Sequence, residues 1–182
     1  MEANINEELK RCLPYHDTPQ EKAKRAQLWN QIDENANGYL SLAEVDKGLR
    51  DVIRIPQLFD AKPVIMRAFQ SAKNRTTATN PHGKDYITKS EFRFLLSYIR
   101  QYYEYWIAFE TVDKEGDRRI SFQEFVKAVP TMKRWHLRID HPEATFQEID
   151  KNGGGYILFD EFCQWAIHSH LNVEGYEGED LL

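Results

Sequence analysis

Apolar residues recur along this chain at helical spacing, and three of the stretches break off in the same way. An aromatic residue, two polar residues, an apolar residue and Asp close WNQID at Asp33, FETVD at Asp113 and FQEID at Asp150. Eleven residues after each Asp stands a Glu (Glu44, Glu124, Glu161), and the apolar pattern restarts beside it with Val45, Phe125 or Phe162. Between these polar ends one apolar residue is fixed, Leu40, Ile120 or Ile157, at the eighth position of each twelve-residue window. The repeat predicts helix, twelve-residue loop, helix, with apolar stripes that share a core.

A fourth unit is legible only from its exit, where Ile87, Glu91 and Phe92 reproduce the eighth, twelfth and following positions. Counting back from Glu91 puts Asn80, His82, Lys84 and Asp85 at positions 1, 3, 5 and 6. The incoming helix disagrees, since Phe69 and Ala72 start the loop at Lys73 and make it 19 residues long. Other helices follow from caps. Thr18, Pro19 and Glu21 supply an N-cap, a first-turn Pro and a capping-box Glu, and Asp60 caps AKPVIMRAFQSA. NINEELKRCL is a short helix ended by Pro14, and Glu91 to Val112 holds neither Gly nor Pro, so one nearly continuous helix joins the two halves. The expected organisation is a short N-terminal helix in 1–17, a first helical pair in 18–100, a second in 101–171 and an acidic, disordered tail in 172–182.

Composition narrows the class without altering this outline. With 182 residues, 41% of them hydrophobic and 13% aromatic, the chain can bury one sizeable core or two small ones. A net charge of -5 with no basic block argues against a nucleic-acid partner. Cys12 and Cys163 form no CxxC, which fits a reducing compartment and makes the cytoplasm the default. The most apolar stretch is interrupted by Arg93, Arg100 and Glu104, MEANINEELK has no signal-peptide plan and no Gly after the initiator Met, and no CaaX box is present. A direct membrane anchor is therefore not expected.

The loop spacing has a definite chemistry. Calcium takes about 6 to 8 oxygens, and a tightly wound twelve-residue loop supplies them from positions 1, 3, 5, 7, 9 and 12, with a backbone carbonyl at 7 and a bidentate Glu at 12. Position 6 turns sharply and prefers Gly, and the apolar eighth residue pairs with a partner loop. This is the EF-hand, which predicts an all-α, calmodulin-like fold of two hand pairs with short inter-loop β pairing. In the first loop the ligands are Asp33, Asn35, Asn37, the Tyr39 carbonyl, Ser41 and Glu44, with Gly38 at the turn. In the third, carboxylates of Asp113, Glu115, Asp117 and Glu124 converge, joined by Ser121 and the Arg119 carbonyl, and repel one another until a divalent ion arrives. Arg118 replaces the turn Gly there at a cost of about 1 kcal/mol. The fourth loop keeps Asp150, Asn152, the Tyr156 carbonyl and Glu161 with Gly155 at the turn, but Gly154 and Leu158 offer no side-chain oxygen, so water completes a weakened site. The second hand, with Lys84 where an acid belongs, survives as the structural mate of the first. Calcium is the expected cofactor, with magnesium as the alternative occupant at rest.

The degenerate second hand with its insertion, the aromatic run EFRFLLSYIRQYYEYWIAFETVD, and FQEIDKNGGGYILFDEFCQWAI together resemble the calflagins, the flagellar calcium-binding proteins of trypanosomatids. The resemblance covers about Ala26 to Leu171. It implies calcium binding by the last two hands, Asp113 to Glu124 and Asp150 to Glu161, and a calcium sensor of the flagellum or cilium. The family's acylated, lysine-rich N-terminus has no counterpart here, so its membrane targeting is not carried over, and the microtubule axoneme is the expected anchor.

Two functions fit. A switch would expose an apolar groove to a protein partner on binding calcium, while a structural axonemal component would have its rigidity tuned by calcium. With Met66 and Met132 alone beyond Met1, a Met-rich promiscuous groove is not expected. Phe94, Tyr98, Tyr102, Tyr103 and Trp106 point either to a more specific partner or to ordinary core. An enzyme is not expected, because the six His residues form no zinc or triad motif and no phosphate-binding glycine loop is present.

Overall fold

A computed structural model describes residues 5–73, 75 and 85–171 of the chain. It divides into two compact units, Met1–Tyr103 and Glu104–Leu182, and the division falls inside one long helix.

The first unit comprises α1 (Ile5–Cys12), α2 (Pro19–Ile32), β1 (Tyr39–Ser41), α3 (Leu42–Gly48), a π-helical turn (Leu49–Ile53), α4 (Pro56–Asp60), α5 (Lys62–Lys73), β2 (Tyr86–Thr88) and the start of α6 (Phe92–Val112). Trp29 and Ile32 from α2, Phe69 and Ala72 from α5, and Phe92 from α6 are buried together, with the Trp29 and Phe92 rings edge to face at 5.3 Å. A Cβ on Gly48 would meet Ile32 at 2.5 Å, so α3 approaches α2 where only glycine fits. α1 belongs to this core. Leu9 and Leu13 are buried, and the segment after them is tied down by Arg93 Nε donating to the Tyr15 carbonyl at 2.7 Å and Arg25 Nη1 to that of Pro14 at 2.9 Å.

Three local expectations change. Thr18 does cap α2 by accepting from Glu21 N, but the Glu21 carboxylate accepts from His16 N at 2.7 Å and closes no box on Thr18. Asp60 does not cap α5. It ends α4, a helix started by Pro56 in its first turn, and Ala61 separates the two. Neither α4 nor the π turn, which Arg54 ends in the left-handed region at φ 58°, had a signal in the apolar spacing. The tail 172–182, and Asn80, His82 and Lys84 of the second hand, lie outside the described residues.

The second unit continues α6 and adds β3 (Arg119–Ser121), α7 (Phe122–Arg134), α8 (Pro142–Ile149), β4 (Tyr156–Leu158) and α9 (Phe159–His168). Its centre is aromatic: Phe109 meets Phe159 and Phe162 edge-on at 5.5 and 5.6 Å, and Phe125 meets Phe146 at 5.7 Å. α6 runs unbroken through Phe92–Val112, as the absence of Gly and Pro predicts. Tyr102, Tyr103 and Trp106 on it are buried, and Phe94 and Tyr98 are half-buried, so most of this aromatic run is core. Met132 is buried and Met66 exposed. Among the described residues, no helix is long and apolar enough to cross a membrane.

Candidate metal centre

Each unit contains one short antiparallel pairing. β1 pairs with β2 with Leu40 opposite Ile87, and β3 pairs with β4 with Ile120 opposite Ile157. All four of these eighth-position residues are fully buried, so the residue that crosses between the loops also anchors them to the core. The second hand has thus kept its pairing partner, and α5 ends at Lys73, the residue at which the entry register starts the longer loop.

The loop backbones share one geometry. Positive φ occurs at positions 4 and 6 of each described twelve-residue loop: Ala36 at 54° and Gly38 at 84°, Gly116 at 70° and Arg118 at 65°, Gly153 at 68° and Gly155 at 80°. Position 4 escaped the sequence reading, which looked for a turn glycine only at 6. In consequence the glycines of the fourth loop are not surplus: two stand where the chain must be left-handed, and only Gly154 replaces a ligand. The first and third loops each place one residue with a Cβ in that region, Ala36 and Arg118.

The tight winding turns loop amides onto the position-1 Asp. Asp33 accepts from Asn37 N at 3.1 Å and Gly38 N at 3.0 Å, Asp113 from Gly116 N at 2.7 Å and Arg118 N at 2.9 Å, and Asp150 from Gly154 N at 3.0 Å and Gly155 N at 2.8 Å. From the other end the position-12 Glu folds back over the loop. Glu44 Oε1 accepts from Asn35 Nδ2 at 2.9 Å, Glu124 Oε1 from Lys114 N and Glu115 N at 3.0 and 3.1 Å, and Glu161 Oε1 from Asn152 N and Nδ2 at 3.1 and 2.8 Å. The second oxygen caps the exit helix. Ser41 N and Oγ donate to Glu44 at 2.8 Å, Ser121 N and Oγ to Glu124 at 2.9 and 2.7 Å, and Leu158 N to Glu161 at 3.0 Å. The twelfth residue therefore holds the N-terminus of its exit helix with one oxygen, as the N3 member of a capping arrangement, and reaches back to the loop with the other. Glu91 makes the same helix cap in the second hand, accepting from Thr88 N and Oγ1 at 2.9 Å. Burial of Glu124 would raise its pKa, but the hydrogen bonds from Ser121, Glu115 and Lys114 outweigh it and hold the carboxyl below the usual glutamate range.

The chemistry of this donor set suits calcium. Positions 1, 3, 5, 9 and 12 carry oxygen donors in the first and third loops, and positions 1, 3 and 12 in the fourth, all on loops whose first and last members hydrogen-bond to the same short backbone. Among the described residues no three His, Cys, Asp or Glu side chains gather tightly enough to hold a metal ion. Asp113 and Glu124 are engaged by amides, and Asp117 is engaged by Arg119, whose Nε donates to its Oδ2 at 2.6 Å. That hydrogen bond also pushes the Arg119 pKa up. The mutual repulsion expected of this loop is thus partly offset by its own amides and by Arg119.

Residues 9–99 match the FCaBP EF-hand domain family. The chain is 30% identical over 171 residues to a flagellar calcium-binding protein of Trypanosoma cruzi, covering 93% of this chain and 81% of that one. It is 33% identical over the same share of its length to the flagellar calcium-binding protein TB-24 of Trypanosoma brucei brucei, covering 78% of it. Among solved structures, a homolog of programmed cell death 6 protein from Leishmania major Friedlin aligns at a TM-score of 0.41 and 17% identity over 79% of this chain and 70% of that one.

Proposed function

The chain belongs to the flagellar calcium-binding protein family of EF-hand proteins, and from that premise we propose that it is a flagellar or ciliary calcium sensor that docks on a protein partner. The first, third and fourth hands bind calcium, with magnesium as the competitor at rest. The observation that carries this reading is the double role of Glu44, Glu124 and Glu161. Each holds the first turn of its exit helix through one oxygen and reaches back to the loop through the other. An ion that claims both oxygens must draw the exit helix with it, so binding is coupled to helix movement.

The test is a calorimetric calcium titration in millimolar magnesium, run on the native chain and on Glu44→Gln, Glu124→Gln and Glu161→Gln, with an apolar dye read at each endpoint. The sensor reading expects one site lost per substitution and a rise in dye emission with calcium. Binding with a dark dye would favour a constitutive structural component of the axoneme. No binding would refute both the ligand assignment and the sensor.

A further inference from the structure

The seventh residue of each loop contributes its carbonyl, yet its side chain also meets its counterpart across the loop pair. In the first unit Tyr39 and Tyr86 meet edge to face at 4.8 Å. In the second, the Arg119 guanidinium lies over the Tyr156 ring at 4.6 Å. The strand register accounts for this, since Arg119 stands opposite Leu158 and Ser121 opposite Tyr156, placing the two seventh residues on adjacent diagonals. The two contacts are alike in place and different in chemistry. Only Arg119 carries a charge, and the same side chain reaches the position-5 ligand of its own loop. Asp117 Oδ2 accepts from Arg119 Nε at 2.6 Å, and Asp117 Oδ1 accepts from Arg119 N at 3.2 Å. Both oxygens of that carboxylate are therefore engaged by one residue.

We propose that Arg119 sets the calcium affinity of the third hand: its guanidinium, steadied on the Tyr156 ring of the partner loop, competes with the ion for the Asp117 carboxylate. This rests on the reading that the third hand binds calcium. A dication approaching Asp117 must displace or be repelled by a cation already there, and neither effect operates at the matching position of the first loop, where Asn37 and Tyr39 are both neutral. Tyr156 holds the guanidinium in place, so a residue of the fourth loop helps determine how strongly the third binds.

The experiment is a calorimetric calcium titration of the full chain carrying Glu44→Gln, which leaves the two sites of the second unit. Arg119→Gln is expected to tighten the third site by up to about fivefold, a limit set by the exposure of the ion pair. Tyr156→Leu is expected to recover part of that gain. Lys114→Gln, which removes the same charge from position 2, should change affinity less. In an Asp117→Asn background the gain from Arg119→Gln should disappear, the double-mutant signature of a direct interaction. An ordinary structural role for Arg119 would lower affinity on substitution, so the direction of the change discriminates. The proposal is overturned if Arg119→Gln leaves affinity unchanged or weakens it, or if the gain is matched by Lys114→Gln and persists with Asn at 117. Should Glu124→Gln remove no site, the calcium assignment of the third hand itself fails, and that result is separate from the Arg119 series.

Discussion

Gly154 occupies position 5 of the fourth loop, where the first and third loops supply Asn37 and Asp117, and restoring an acid there tests how the site is built. Its φ lies outside the left-handed region, so a side chain is not excluded by backbone strain. An ideal Cβ would meet Asn152 Oδ1 at 2.5 Å, but that atom is the end of a flexible side chain. The first loop shows the accommodation: Asn37 has a Cβ, and its N–H still donates to Asn35 Oδ1 at 2.9 Å, against 2.7 Å from Gly154 N to Asn152. Turning Asn152 slightly off its rotamer costs about 0.5 to 1.5 kcal/mol. A contact made by a charged ligand in place of water contributes about 1.5 to 3 kcal/mol. The balance of the midpoints, about 1.2 kcal/mol, is roughly an eightfold gain in affinity. Gly154→Asp in a chain carrying Glu44→Gln and Glu124→Gln leaves the fourth site as the one titrated, and calorimetry reads the difference directly. Equal or weaker binding would refute the reasoning, because it would mean that Asn152 cannot yield without ceasing to be a ligand.

Other outcomes follow from the same geometry. Arg118→Gly should stabilise the calcium-free protein by about 1 kcal/mol in denaturant unfolding, because Arg118 is held at φ 65°; an unchanged midpoint would argue that the strain is already relieved. Ile87→Ala, at a fully buried position opposite Leu40, should cost about 2 to 5 kcal/mol of stability and weaken calcium binding at the first hand, although Ile87 belongs to the neighbouring hand. Calorimetry of the first site checks it. Because the Glu124 pKa is depressed in the folded protein, its stabilisation is fully present above the unfolded glutamate value and is lost as pH falls through the lower folded value. In calcium-free buffer, Glu124→Gln should therefore flatten the acid limb of an unfolding-against-pH profile, and an unaltered limb would contradict the hydrogen-bond assignment.

Much of this arrangement was legible in the chain because EF-hand positions are set by local rules. Leu40, Ile87, Ile120 and Ile157 could be paired from spacing alone, since a buried eighth residue between two polar ends has one place to go. The long α6 followed from the absence of Gly and Pro. What escaped was decided by contacts distant in sequence or by backbone angles without a strict residue signature. Position 4 is left-handed in all three loops, yet Ala36 fills it in one, so no glycine rule could have found it. Glu21 answers His16 rather than Thr18, because the preceding segment is packed against α2. Arg119 could be counted as a charge but not aimed at Asp117 without the loop winding.

The second hand gives the retained cap a meaning of its own. On the proposed function the closing glutamate of the other three hands serves both helix and ion, and can serve the ion more fully only by loosening its hold on the helix. Thr88 engages Glu91 through both N–H and hydroxyl while it lies buried. On the proposed function the start of α6 stays capped at every calcium level, and α3 is the exit helix of the first pair that calcium would move. On that reading a unit with one binding hand keeps a fixed reference against which that hand can push.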